Sequence, residues 1–165
     1  MSARLPSLLV LSLLTLAALA CGREPAEDSA AAAWVSTLRD AHQQADAAEQ
    51  RGDFDEARRV LEPLASTPAP GEVAPTHARA ARQDVYFRLA TLASLRGDHA
   101  AARDAAADGL ALGQQDDVLT ANLLIARAEA NEALGEREGA SRDFLAALRI
   151  NEVLLDAVLG EEEAP

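Results

Sequence analysis

The sequence predicts an all-α chain, a short solenoid of three helix-turn-helix repeats ending in a long C-terminal helix. A glycine followed by an acidic residue, with an alanine five positions after the glycine, recurs three times: Arg51-Gly52-Asp53-Phe54-Asp55-Glu56-Ala57, Arg96-Gly97-Asp98-His99-Ala100-Ala101-Ala102 and Leu134-Gly135-Glu136-Arg137-Glu138-Gly139-Ala140. Each glycine suits a left-handed helix end, and each acid suits the positively polarised start of the next helix. The small residue five positions after each glycine lets two antiparallel helices approach closely. Alanine, the strongest helix former, is dense throughout. No run alternates apolar and polar residues as a strand would.

The first helix is expected over 30–50, ending at the Gly52 turn. Asp53 opens the second, 53–66, which stops at Ser66-Thr67-Pro68-Ala69-Pro70-Gly71-Glu72-Val73-Ala74-Pro75, a loop whose three prolines exclude a helix. The third, 76–95, ends at Gly97, and the fourth, 98–112, begins at Asp98. A break around Gly113 to Asp117 precedes the fifth, 116–134, with Asp116 and Asp117 as helix-start charge. No proline ends the sixth, 137–159, which runs on through Val153, Leu154, Leu155, Val158 and Leu159 to a stop at Gly160. The core is expected to be thin, because alanine buries little area and the chain has only three Phe, one Trp and one Tyr. Three stacked units are near the minimum for a stable solenoid, so marginal to moderate stability is expected.

These units resemble tetratricopeptide repeats over roughly residues 34–150. The second unit carries the resemblance most clearly, with Tyr86, Leu89, Ala90 and Ala93 on its first helix and Ala102, Ala106 and Gly109 on its second. The third supplies Leu124, Ala128, Ala140, Phe144 and Ala147. The first has Ala45, Ala48, Leu61 and Leu64 around Gly52-Asp53-Phe54-Asp55-Glu56-Ala57, with Gln44 in place of an expected leucine. The chain departs from the family in its spacing: the turn glycines are 45 and 38 residues apart, against a family period of about 34.

The N-terminus carries Arg4, an apolar run from Leu8 to Ala20, then Leu16-Ala17-Ala18-Leu19-Ala20-Cys21 followed by polar Gly22, Arg23 and Glu24. This resembles a bacterial lipoprotein signal, although Ala18 stands where that family usually has leucine. The apolar stretch has signal-peptide length and is too short for a comfortable membrane span. The resemblance implies a signal peptide over 1–20, a lipidated N-terminus and tether over 21–29, a repeat domain over 30–160 and an acidic tail over 161–165. It also implies a diacylglycerol and an N-acyl chain on Cys21 and no other cofactor. Gly22, in place of the aspartate that marks inner-membrane retention, implies the outer membrane, facing the periplasm. An ordinary secretory signal cut after Ala20 and an uncleaved anchor remain open.

The chain has 15 basic and 27 acidic residues and a formal net charge of −12, and removing Arg4 makes the remainder one unit more negative. Such a surface is repelled by nucleic-acid phosphates and anionic lipid, so attachment to a membrane is assigned to acyl chains. Every basic residue is arginine. Cys21 is the only cysteine, which leaves no structural disulfide and no cysteine metal site.

No catalytic constellation emerges. His42, His77 and His99 lack metal-ligand spacing, and His99 occupies a position in the turn that suits packing. Neither a Gly-x-Ser-x-Gly elbow nor a phosphate-cradling loop is present. In the repeat family the first helix of each pair lines an inner groove. That register implies a partner-binding groove of Arg39, His42, Asp46 and Glu49, then Asp84, Phe87, Thr91 and Ser94, then Asn122, Ile125, Glu129 and Glu132. Phe87 and Ile125 are its apolar anchors, unless a neighbouring helix buries them. The groove lacks the basic set with which relatives clamp acidic peptides. The C-terminal helix offers a second surface, with Leu148, Val153, Leu155, Val158 and Leu159 either capping the third unit or forming a dimerisation or docking edge.

The expected function is therefore a lipid-anchored scaffold that holds another envelope protein or peptide, possessing no catalytic activity and no evident small-molecule substrate. The alternatives are a cell-wall-associated enzyme accessory or weak hydrolase built on His42, Asp46 and Glu49, and a structural spacer with no specific ligand.

Overall fold

The computed structural model describes residues 29–162. The expected signal segment, Cys21 with most of its tether, and residues 163–165 of the tail lie outside the described residues. Among the described residues the chain is all-helical, with six helices and no strand: α1 (Ala30–Gln50), α2 (Phe54–Ser66), α3 (Pro75–Leu95), α4 (His99–Ala111), α5 (Val118–Ala133) and α6 (Arg137–Glu162).

The helix starts show why three expected boundaries slip by a residue or two. Asp53, Asp98 and Asp117 stand before their helices as caps. Their carboxylates accept from the backbone N–H groups of Glu56 (3.1 Å), Ala101 (3.1 Å) and Thr120 (2.8 Å), donors that the first helical turn cannot satisfy internally. The helix ends before them are equally regular. Gly52, Gly97 and Gly135 have φ of 73°, 76° and 83°. The N–H of each following acid returns to the carbonyl five residues back, Asp53 to Ala48, Asp98 to Ala93 and Glu136 to Asn131, at 2.8–2.9 Å. One three-residue turn thus closes one helix and positions the next. Gly160 does not stop α6, which runs on to Glu162. Only a glycine that turns left-handed ends a helix, and Gly160 keeps a negative φ.

Each helix packs against the next in sequence, and α3 also packs against α5, whereas the backbones of α1 and α3 stay apart. The core is built largely from small side chains. Ala41, Ala45, Ala48, Ala57, Leu61 and Val85 belong to one buried cluster, and Ala90, Ala106, Leu110, Ala121, Leu123 and Ala147 to a second. Gly109 marks the tightest point. A Cβ there would lie 2.7 Å from Leu123 Cδ2 and 2.9 Å from Tyr86 Cβ, where α3, α4 and α5 meet.

The irregular connections are tied down by α3. Gln83, fully buried, donates to the carbonyls of Gly109 (3.3 Å) and Gly113 (3.0 Å) and accepts from Arg79 (2.7 Å). Arg79 also reaches Asp117 (2.9 Å), and Arg82 donates to the Ala65 carbonyl (3.0 Å) beside the proline-rich loop. Burial pushes the Asp117 carboxyl up, but hydrogen bonds from Thr120 and Arg79 outweigh it and hold the group below its ordinary value.

Gly109→Ala is expected to destabilise by about 1–3 kcal/mol through overpacking, offset in part by ~1 kcal/mol of helix propensity. Gly52→Ala, with no atom within 4 Å, is expected to cost about 1–2 kcal/mol from backbone conformation alone. Urea denaturation followed by circular dichroism measures both.

Because the native pKa of Asp117 is lowered, its contribution is present above the unfolded value and is lost as pH falls through the native one. Asp117→Asn, which preserves the cap, is therefore expected to be less stable than wild type at pH 7. The gap should close below about pH 4, as urea midpoints at pH 7, 5 and 3 would show.

Candidate functional site

Six of the twelve expected groove residues converge. Phe87, Thr91 and Ser94 from α3 and Asn122, Ile125 and Glu129 from α5 surround a cavity of about 410 Å³ floored by Ala90 and Ala126. Residues 87, 91 and 94 share one helix face, as do 122, 125 and 129, because each set is spaced by three or four. The α3–α5 contact places the two faces side by side. The alanine floor gives the cavity its depth.

Phe87 and Ile125 meet both expectations in part. They are half-buried, pack on the second core cluster with one side, and line the cavity with the other. Thr91 spends its hydroxyl on the Phe87 carbonyl of its own helix (3.0 Å). Leu95, 58% exposed, stands at the rim. Sequence reasoning missed it because the residue immediately before a turn falls outside the repeat register.

The expected residues of the first unit do not join this cavity. Arg88 of α3 draws His42, Asp46 and Glu49 together. Its guanidinium donates to Asp46 (2.7 Å), to Glu49 and to His42 Nδ1 (2.9 Å). A guanidinium can only donate, so Nδ1 accepts and the ring proton sits on Nε2. Nε2 lies 3.5 Å from Asp84 Oδ2. Arg88 was not singled out in the sequence, where an arginine on a helix in an acidic chain carries no visible address. This cluster, outside the cavity, therefore contains a cation whose charge is taken up by two carboxylates. Arg39 is exposed on α1, one turn before His42. Glu132 lines a different cavity, with Arg137, Phe144, Leu145 and Leu148.

Two other expectations resolve. His99 is half-buried and its Nδ1 is buried with no hydrogen-bond partner, consistent with a ring held by packing. The C-terminal helix packs on the third unit, but not through the residues expected to do so. Its inner face, Ala140, Ala147 and Ile150, is buried against α5, while Leu148, Val153, Leu155, Val158 and Leu159 are all exposed. Between these helices Arg127 grips Asp143 through two hydrogen bonds of 2.8 and 2.7 Å, a pair the sequence reading did not pick out.

Among the described residues no helix is long and apolar enough to cross a membrane, and no three His, Cys, Asp or Glu side chains gather as a metal site would need. Comparison with protein-family models, with curated proteins and with solved structures finds no match to this chain.

Arg88→Ala is expected to lower stability by about 1–2 kcal/mol, since it removes charged hydrogen bonds and leaves Asp46 and Glu49 facing each other. The hydrogen bonds of Arg88 run only from α3 to α1, so the effect is expected to stay local. Hydrogen exchange should quicken along α1 and remain unchanged in α5 and α6.

Proposed function

We propose that this chain is a tetratricopeptide-like scaffold, anchored by acyl chains on Cys21 at the outer membrane and facing the periplasm. In the α3–α5 groove it holds a segment of another envelope protein. One observation carries the groove reading: Phe87 and Ile125 present apolar surface across a cavity whose volume fits one or two peptide side chains. Glu129 at its edge favours a segment with apolar residues flanked by basic ones over an acidic peptide.

The repeat reading is supported by three identical glycine turns and by the order of helix contacts, in which α3 touches both α4 and α5. Contact rather than reaction is supported by His42. A hydrolytic histidine oriented by a carboxylate needs its second nitrogen free to take a proton from the nucleophile. Here Asp84 stands near Nε2, and Arg88 occupies Nδ1. A spacer with no ligand would have no need of the half-open apolar pair.

Affinity purification of the chain from its own membranes, repeated with Phe87→Glu, tests the groove. Loss of an anchoring aromatic contact of about 2 kcal/mol should weaken retention of the partner roughly thirtyfold. An unchanged yield would exclude the groove. Cys21→Ser should move the chain from the membrane to the soluble fraction.

A further inference from the structure

The outer face of α6 carries an apolar stripe with no partner among the described residues. Phe144, Leu145, Leu148, Leu155, Val158 and Leu159 fall on one side of the helix by their spacing, and each is 37–60% exposed. The stripe is about 22 Å long at 1.5 Å per residue. It continues past Ile150, the last buried residue of the helix, where only Leu154 still packs inward on the core. A helical overhang of this kind, apolar toward water, gains little stability alone.

The order of residues along the stripe shows what fits it. Read in either direction from the midpoint at Asn151 and Glu152, the large apolar positions coincide. Leu148 answers Leu155 at equal distance, and Leu145 with Leu159 and Phe144 with Val158 match to within one residue. Such a face is complementary to itself under a two-fold axis, which reverses the helix direction. Charge agrees with this. Arg149 lies on the same flank as Glu152 and Asp156, on opposite sides of the midpoint, and none of the three has an ion-pair partner among the described residues. Reversal brings the same flank of both copies together and sets Arg149 of each against Glu152 and Asp156 of the other, whereas a parallel pairing carries the two flanks to opposite sides and leaves these charges unmatched.

We propose that the occupant of this face is a second copy of the chain. The two α6 helices lie antiparallel about a two-fold axis at Asn151 and Glu152, leaving the α3–α5 groove of each copy free. The proposal does not depend on the groove reading.

Cysteine crosslinking of the full chain in its own membranes, under mild oxidation, tests both the pairing and its direction. The unaltered chain, with Cys21 alone, is the background. Asn151→Cys places two thiols beside the axis and should give a disulfide-linked two-copy band. Leu145→Cys alone should not, because the antiparallel arrangement separates the two positions by about 20 Å along the helices, beyond the reach of a disulfide. Leu145→Cys combined with Leu159→Cys should restore the band. Leu148→Glu with Leu155→Glu, added to Asn151→Cys, should abolish the band while circular dichroism stays helical, since both residues already face water. Phe87→Glu added to Asn151→Cys should leave it intact.

A band from Leu145→Cys alone would mean a parallel pairing and would overturn the proposal. So would the absence of a band from Asn151→Cys, whether the face is covered by another protein, by the chain's own N-terminal segment or by nothing.

Discussion

Close approach of helices through alanine and glycine is the constraint on which the rest of this structure depends. Ala45, Ala48, Ala57, Ala90, Ala106 and Ala121 are at most 1% exposed, and at Gly109 there is no room even for a methyl group. Packing of this kind replaces large buried side chains with short interhelical distances. Each contact therefore removes little apolar area from water, and helix position must be accurate, since a single added carbon is felt where two helices meet. The glycine turns supply that accuracy. Their left-handed glycine and the two hydrogen bonds around it set the entry of each second helix within three residues.

The same thinness explains the role of arginine. Where the intervals between units are irregular, apolar packing cannot absorb the extra chain, and guanidinium forks do so instead. Arg79 holds the Gly113–Asp117 connection, Arg82 the loop after α2, and Arg88 spans the gap between α1 and α3. Further along, Arg103 meets Glu136 and Arg127 meets Asp143. These are partly shielded, directional contacts, in which the rigid planar donor of arginine does what a flexible ammonium would not.

With alanine at most of the helix contacts, several large apolar side chains are left at the surface: Leu95, Phe144, Leu145, Leu148 and Leu155 are exposed, while Leu61, Leu92 and Leu123 are buried. Nothing is gained by wetting such groups in register unless something covers them. The groove is lined from α3 and α5 and the apolar stripe lies on α6, so the two surfaces share no residue.

Much of this was legible in the residues. Helix number, order and ends follow from local chemistry: Gly52, Gly97 and Gly135 demand a left-handed turn, the aspartates demand N–H donors, and Pro68 and Pro70 keep the connection after α2 from being helical. Each of these acts within five residues, and sequence holds that information in full. The α3 and α5 halves of the groove were legible for the same reason, because residues three and four apart share a face wherever the helix lies. The fate of the first unit was not. Nothing local tells that Arg88, 46 residues from His42, would gather His42, Asp46 and Glu49, or that Gln83 would be buried against the Gly113 carbonyl. Those depend on how far apart two helices settle, which a long connection leaves free until the tertiary packing chooses. Sequence by itself determined which segments are rods and where they turn; only the folded stack decided which charges meet and which apolar faces stay open, because distance between remote segments is set by packing and not by spacing along the chain.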